Sequence, residues 1–464
     1  MQWANALSQL PSLEAALQQV VEEAKAQLQA AQLKNALTRQ VQGVGSGSLP
    51  GLLTGYLPPQ PLRPNLGILF VSAAFASEYV RVLPLLSNLL EVDVLIGCSG
   101  GGIVGGGQEI EEGPALSLSL AVLPEVALHP FHLRGDQLPD LDAPPSAWVE
   151  QVGVAPQAQP HFLLLADGFS SRISELLQGL DFAYPGAVKV GGLASGGRGP
   201  RGNALFLLDA RTPTPRCELY REGTVGLALS GNVVLEAVVA QGCRPIGDPL
   251  RITEAEGNVI LSLEGRPPLA VLQDLFERLS PADRQLARHA LFIGLLMDEF
   301  KADPTPGDFL IRVILGVDPR VGAIAIGDRV RSGQTVQFHL RDAQTSAEDL
   351  RWALSRYCFE RNLGRNSASE RSSQLSPQPC GALMFACLGR GKGLYGVPNF
   401  DSQQFREILG EVPLGGFFCN GEIGPVGGST FLHGYTSCFG IFRPACGLLS
   451  GGEPVPKQGP RRPS

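Results

Sequence analysis

The chain has no apolar run long enough to cross a membrane. Its longest, such as Ala290–Met297, fall far short of the ~20 residues a helical span needs. It has no stripe of Lys and Arg interleaved with aromatics, and its net charge is −7, so nucleic acid is excluded as an expected partner. The opening MQWANALSQL lacks a basic segment ahead of an apolar core, so no secretory signal is expected. The nine cysteines are scattered and form no C-x-x-C pair, which suits reduced thiols and a cytoplasmic location better than a disulfide framework. With 44% hydrophobic and 17% charged residues, the chain has ample material to bury. At 464 residues it is too long for one core, and two domains are expected.

Residues 12–41 read as a helix, because Leu13, Ala16, Leu17, Val20, Val21, Ala24 and Leu28 recur at helical spacing. Residues 42–65 are rich in Gly, Ser and Pro and read as a linker. An apolar run at 66–71, a helical pattern at 75–90 and a second apolar run from 92 make a strand–helix–strand opening, the mark of an α/β layer. Further strands are expected at 116–123, 127–133, 162–166, 188–190, 204–208, 223–229 and 233–241. Helices are expected at 170–180, 268–279, 282–290, 346–361 and 401–409. Additional strands fall at 291–296, 309–316, 323–326, 335–340, 382–388 and 414–419. No internal repeat is read. The expected fold is α/β, two domains with mixed β-sheets flanked by helices; the alternative is a packed double-sheet sandwich between helix layers. The expected division is an N-terminal helix plus linker over 1–65, domains over 66–262 and 263–445, and a disordered tail over 446–464.

Several motifs fail on inspection. Gly100, Gly102 and Gly105 form G-x-G-x-x-G after a strand, but no helix follows to hold a pyrophosphate. Gly389–Gly393 fails as a phosphate loop, since no Ser or Thr follows Lys392 and Ala386 stands where the first glycine belongs. Cys419, His433 and Cys438 lack the spacing of a preorganised metal cluster, so neither metal nor cofactor is expected. What remains of Cys98–Gly107 reads as a backbone-rich loop at a strand end, where α/β sheets meet their ligands and successive N–H groups can cradle an anion. Arg244 near Asp248 reads either as a carboxylate clamp or as a salt bridge pinning the domain junction.

The stretch FFCNGEIGPVGGSTFLHGY (Phe417–Tyr435) is the most informative. Its glycines allow close backbone approach, and its polar side chains converge on a small volume, as in a site for a small polar molecule. A strand over Leu414–Cys419, a bend and a second strand from Thr430 are expected. Cys98 or Cys419, with His433 and Glu422, also supplies the residue types of a thiol-dependent hydrolase.

The blocks GCSGGGIVGGGQEIE, VGGLASGG, QGCRPIGDPLRITEAEGNVI, FLIRVILGVDPRVGAIAIGD, VQFHLRDAQTSAEDL and FFCNGEIGPVGGSTFLHGYTS resemble the paired FIST N and FIST C domains. The resemblance implies intracellular sensing of a small ligand, with amino acids as candidates, in signal transduction. No output domain or F-box is read, so a stand-alone receptor with a possible signalling protein partner is expected. Its cleft would be lined by Cys98, Ser99, Gly100 and Gly101 from one half and by Cys419, Asn420, Gly421, Glu422, Gly427, Gly428, Thr430 and His433 from the other. In this reading Asn420 and Glu422 take an ammonium. Backbone N–H groups of Gly427–Ser429 with Arg244 take a carboxylate, and His433 orients the site. A protein-interaction scaffold is the remaining alternative.

Overall fold

Three segments each place an apolar run, an amphipathic helix and a second apolar run in order, and each folds as strand, helix, parallel strand. The first is Leu66–Ser72, Tyr79–Leu89 and Val94–Gly100; the second is His161–Asp167, Ile173–Ala183 and Lys189–Ala194; the third is Gly381–Cys387, Phe400–Leu409 and Leu414–Cys419. These strands are buried almost throughout, which is why they read as continuous apolar runs rather than alternating ones. The computed structural model describes residues 1–43, 63–301, 303–367 and 377–445. The expected linker over 44–62, the polar loop beyond 367 and the disordered tail from 446 lie outside the described residues.

Each unit seeds one six-stranded mixed sheet. The chain leaving each unit's second strand then crosses to a different sheet as a hairpin. Gly102–Gly105 and Gln108–Ile110 join the sheet of Leu414–Cys419. Leu205–Asp209 and Arg216–Tyr220 join the sheet of Val94–Gly100. Glu422–Val426 and Ser429–His433 join the sheet of Lys189–Ala194. Exchanged head to tail, the three sheets close around one core that includes Ile68, Ile96, Leu165, Leu227, Phe385 and Phe417.

The recurrence is a backbone requirement. A Cβ on Gly97, Gly191 or Gly416 would lie 2.2, 1.8 or 2.0 Å from the carbonyl oxygen of Leu69, Leu164 or Met384 on the parallel neighbour. This threefold repeat was not read from the sequence because its units share a topology and a glycine, not a run of identical side chains.

Helices cover the outer faces. Leu13–Gly43 and Tyr79–Leu89 pack on the first sheet, Pro145–Val152 and Ile173–Ala183 on the second, and Ala343–Ser367 and Phe400–Leu409 on the third. Between the strand Val234–Ala240 of the third sheet and the helix Ala343–Ser367 the chain forms a closed six-stranded barrel from strands between Cys243 and Arg341, with its own core of Ile252, Ile293, Ile324 and Phe338. The architecture is therefore mixed α/β with helix-flanked sheets, as expected, but with three sheets and a barrel in place of a double-sheet sandwich. Among the described residues, no helix is long and apolar enough to cross a membrane.

Two expectations need correction. Cys98–Gly107 is not a loop: Val94–Gly100 and Gly102–Gly105 are buried strands, and only Gly106 and Gly107 turn. The residues before the first helix, Gln2–Ser8, form an edge strand on Leu116–Val122. That strand went unread because residues 1–10 carry no clear alternation.

Candidate functional site

The stretch Phe417–Tyr435 enters as a strand ending at Cys419, turns at Asn420 and Gly421, and continues as the hairpin Glu422–Val426/Ser429–His433. Glu422 and His433 are directly paired across that hairpin. Where the hairpin leaves the three-sheet body it meets the barrel, and a hollow of about 320 Å³ lies between them. Cys419, Asn420, Glu422, Leu432, His433 and Tyr435 line one side, with Cys387 and Leu388 beside them. The barrel contributes Ile311–Val313, Gly327 and Asp328.

The polar groups here are arranged unusually. Glu422 is fully buried; one carboxyl oxygen accepts the Thr436 N–H at 3.1 Å, and the other has no partner among the described residues. Burial pushes its carboxyl up to about 8, against the opposing pull of Arg390 and Arg341, so it holds its proton at neutral pH. His433 is buried too. Its Nε2 lies 3.0 Å from the Gly424 carbonyl, which can only accept, so Nε2 carries the hydrogen and Nδ1 presents a lone pair. Nδ1 has no partner among the described residues, and burial lowers the imidazole to about 4, keeping it neutral. The wall of the hollow thus includes a carboxyl and an imidazole, each with a buried atom unused among the described residues. Such atoms are costly to bury unless something meets them.

The other charged residues on the wall, Arg312 and Asp328, are paired with each other. Arg312 donates from Nε to Asp328 at 2.7 Å and from Nη2 to the Leu432 carbonyl at 3.0 Å. Larger hollows elsewhere differ in this respect. The one of about 500 Å³ beside Lys25 and Glu91 is bordered by groups with partners, Lys25 on the Leu89 carbonyl and Arg63 on Asp93.

The structure divides the expected site residues. Cys419, Asn420, Glu422 and His433 share the hollow, and Gly421 stands beside them, its carbonyl accepting the Leu193 N–H at 2.8 Å. The segment from Cys98 does meet the segment from Phe418, but through Ser195. The Gly101 N–H donates to Ser195 Oγ at 2.7 Å, and Ser195 Oγ donates to the Phe418 carbonyl. Cys98, Ser99 and Gly100 are buried in their strand and do not line the hollow. Gly101 is separated from it by Leu388, whose Cδ2 lies 2.5 Å from where a Gly101 Cβ would stand. Gly427 and Gly428 sit at the open hairpin tip, with nothing within 4 Å of a Cβ at either. The Thr430 N–H and hydroxyl both donate to Asp181, at 2.6 and 2.8 Å.

Arg244 takes the salt-bridge role, with Nε on Asp342 at 3.2 Å and Nη2 on Asp283. The thiols lack the character of nucleophiles. Burial drives Cys98 and Cys419 far above the ordinary thiol range, and the acid Glu422 raises Cys419 further. Among the described residues no three His, Cys, Asp or Glu side chains are grouped to hold a metal. Arg312, Cys387 and Ser174 were missed as lining residues, since the barrel, the third sheet and the helix Ile173–Ala183 bring them in from distant positions, and Tyr435, which ends the stretch singled out, was not picked from it.

The fold and this hollow define a mixed α/β protein with a hollow of mixed polar and apolar lining where a sheet body meets a barrel. The FIST N domain matches residues 65–266 and the FIST C domain residues 268–425. An uncharacterised protein of Mycobacterium tuberculosis is 38% identical over 379 residues, covering 82% of this chain and 91% of its own length. A second, from Mycobacterium bovis, is 36% identical over 379 residues, covering 82% and 90%. An F-box/LRR-repeat protein of Arabidopsis thaliana is 30% identical over 125 residues, covering 24% of this chain and 22% of its own. The chain belongs to the FIST family, whose domains are ligand-binding sensory modules associated with signal transduction.

Proposed function

We propose that this chain is an intracellular receptor for a small polar, amino-acid-like metabolite, bound in the hollow between the barrel and the Glu422–His433 hairpin, to which the FIST N portion contributes Ser174, and that occupancy is the signal it passes on. The observation that carries the reading is the pair Glu422 and His433: both buried, both on the wall of one hollow, each with a polar atom left unpaired. A ligand amino group donates to Glu422 Oε1 and His433 Nδ1, and Asn420, exposed on the same wall, supplies a further amide. On meeting an ammonium, Glu422 gives up its proton and becomes the counter-ion.

A panel of amino acids and related metabolites screened by thermal shift tests this. A ligand with a dissociation constant of roughly micromolar, present at ~100-fold excess, stabilises the fold by about 2.7 kcal/mol. Glu422→Gln keeps the shape of the side chain and abolishes that response. A flat response across the panel from folded protein, or an equal response in the variant, contradicts the proposal.

A further inference from the structure

Arg341 closes the strand Thr335–Arg341 where the barrel abuts the three-sheet body. It is 8% exposed, and its Nε and Nη2 are buried with no hydrogen-bond partner. The other arginines on the elements meeting here each hold a carboxylate: Arg244 has Asp283 and Asp342, Arg312 has Asp328, and Arg390 has Asp401. Arg341 has none among the described residues. Its guanidinium carbon lies 5.2 Å from the centre of the Tyr435 ring, and Tyr435 is a lining residue of the hollow.

Two local features keep that guanidinium near the hollow yet covered. Tyr435 adopts φ +64, a left-handed conformation that costs a non-glycine residue energy, and its ring is also packed on Phe292 at 4.2 Å between centroids. Behind Leu388 the chain passes as glycine: a Cβ on Gly389 would lie 2.9 Å from Arg341 Nη1. A buried guanidinium held in no ion pair is expensive to keep, and a strained residue laid over it adds to the cost. Neither is needed to fill space, because an aliphatic side chain would do so more cheaply.

We propose that Arg341 is the anion-holding residue of this hollow and that Tyr435 is its cover, so that the ligand presents a carboxylate to the Arg341 fork when the Tyr435 ring moves aside. The inference rests on reading the hollow as the ligand site, and it supplies the acid-binding end that neither Arg244 nor the Gly427–Ser429 backbone provides. The planar fork pairs with a carboxylate through two parallel N–H bonds, which a lysine cannot reproduce.

The test uses the full chain as wild type, Arg341→Met, Arg341→Lys and Glu422→Gln, with propionate and propylamine as acid-only and amine-only probes at matched ionic strength. Thermal shift gives the apparent affinity of each. Propionate is expected to stabilise wild type and Glu422→Gln, and to bind Arg341→Met at least about tenfold more weakly, the loss of a charge-assisted hydrogen bond. Arg341→Lys falls between. Without ligand, Arg341→Met melts at or above wild type, because an unpaired buried charge has been replaced by an apolar chain. Equal propionate binding in wild type and Arg341→Met overturns the inference. So does the absence of any propionate effect, or an Arg341→Met variant that melts well below wild type or does not fold, which assigns the arginine a structural role. A propylamine response lost in Glu422→Gln without a propionate response leaves the receptor reading standing and removes Arg341 alone. The reverse pattern removes Glu422 and keeps Arg341.

Discussion

Glu422 and His433 face each other across one antiparallel pair, and each keeps one buried polar atom without a partner. Two such atoms side by side would be an error in an ordinary core, since each costs about 1–3 kcal/mol. Both stand on the wall of the hollow at the barrel junction, and under the proposed function the ligand meets that cost.

Glu422 makes stability depend on pH in a direction that can be isolated. Its folded value, about 8, lies above the ordinary 4.5, so the folded state holds a proton that the unfolded state has lost between those values. The resulting stabilisation is fully present below about pH 4.5 and is lost as pH rises through 8. Glu109, raised to about 7 chiefly by burial, acts in the same direction, while His433 acts oppositely on the acid side. The difference between wild type and Glu422→Gln removes both. Urea denaturation from pH 5 to 9 should show that difference falling with pH by at most about 1.4 kcal/mol per unit, then levelling off. A flat difference contradicts a raised carboxyl.

The same proton predicts linkage to binding. A ligand that brings an ammonium to Glu422 releases a proton below pH 8, so its affinity rises with pH by up to about tenfold per unit. Calorimetry in buffers of different ionisation enthalpy reads the released proton directly. A neutral ligand would release none.

The three exchange glycines should be intolerant of even one methyl. Gly191→Ala and Gly416→Ala drive a Cβ to 1.8 and 2.0 Å from a backbone oxygen that cannot move without breaking the sheet. A loss of about 3 kcal/mol or more is expected, seen as a collapsed melting temperature or insoluble protein. Gly427→Ala, at φ +60 with open space around it, should cost only about 1 kcal/mol.

Arg390 is a structural counterpart to Arg341. It is buried, bonded to Asp401 at 2.6 and 3.1 Å, and near the equally buried Glu109. Arg390→Met leaves two buried acids without their cation and should cost about 3–5 kcal/mol in urea denaturation. The Arg341→Met change, which breaks no ion pair among the described residues, should not.

Thiol labelling at neutral pH separates the receptor from a thiol hydrolase. Cys98, Cys419 and Cys438 are buried, and burial raises each. All should label slowly by mass spectrometry, with the exposed Cys217 ahead of them. Rapid, selective labelling of Cys419 would restore the enzymatic alternative.

Much of the fold was legible because buried parallel strands and amphipathic helices leave local patterns. The strand Leu414–Cys419 and the helix Ile173–Ala183 follow from their own residues. The site was half legible: Glu422 and His433 drew notice as polar residues in a glycine-broken apolar stretch. Arg341 and Tyr435 gave no such signal, because an arginine ending an apolar strand looks like any solvated strand end. Cys98–Gly107 misled for the converse reason, since its glycines serve close strand contact rather than a ligand.

Composition and periodicity alone determined that this chain buries helix-flanked strands and that the stretch around Glu422 is chemically odd. Which residues stand opposite that carboxyl was decided only when hairpins crossed from sheet to sheet and the inserted barrel docked against them. Local pattern is written by what each segment must bury, whereas a site is written by which distant segments share a wall, and the chain carries no short-range record of that.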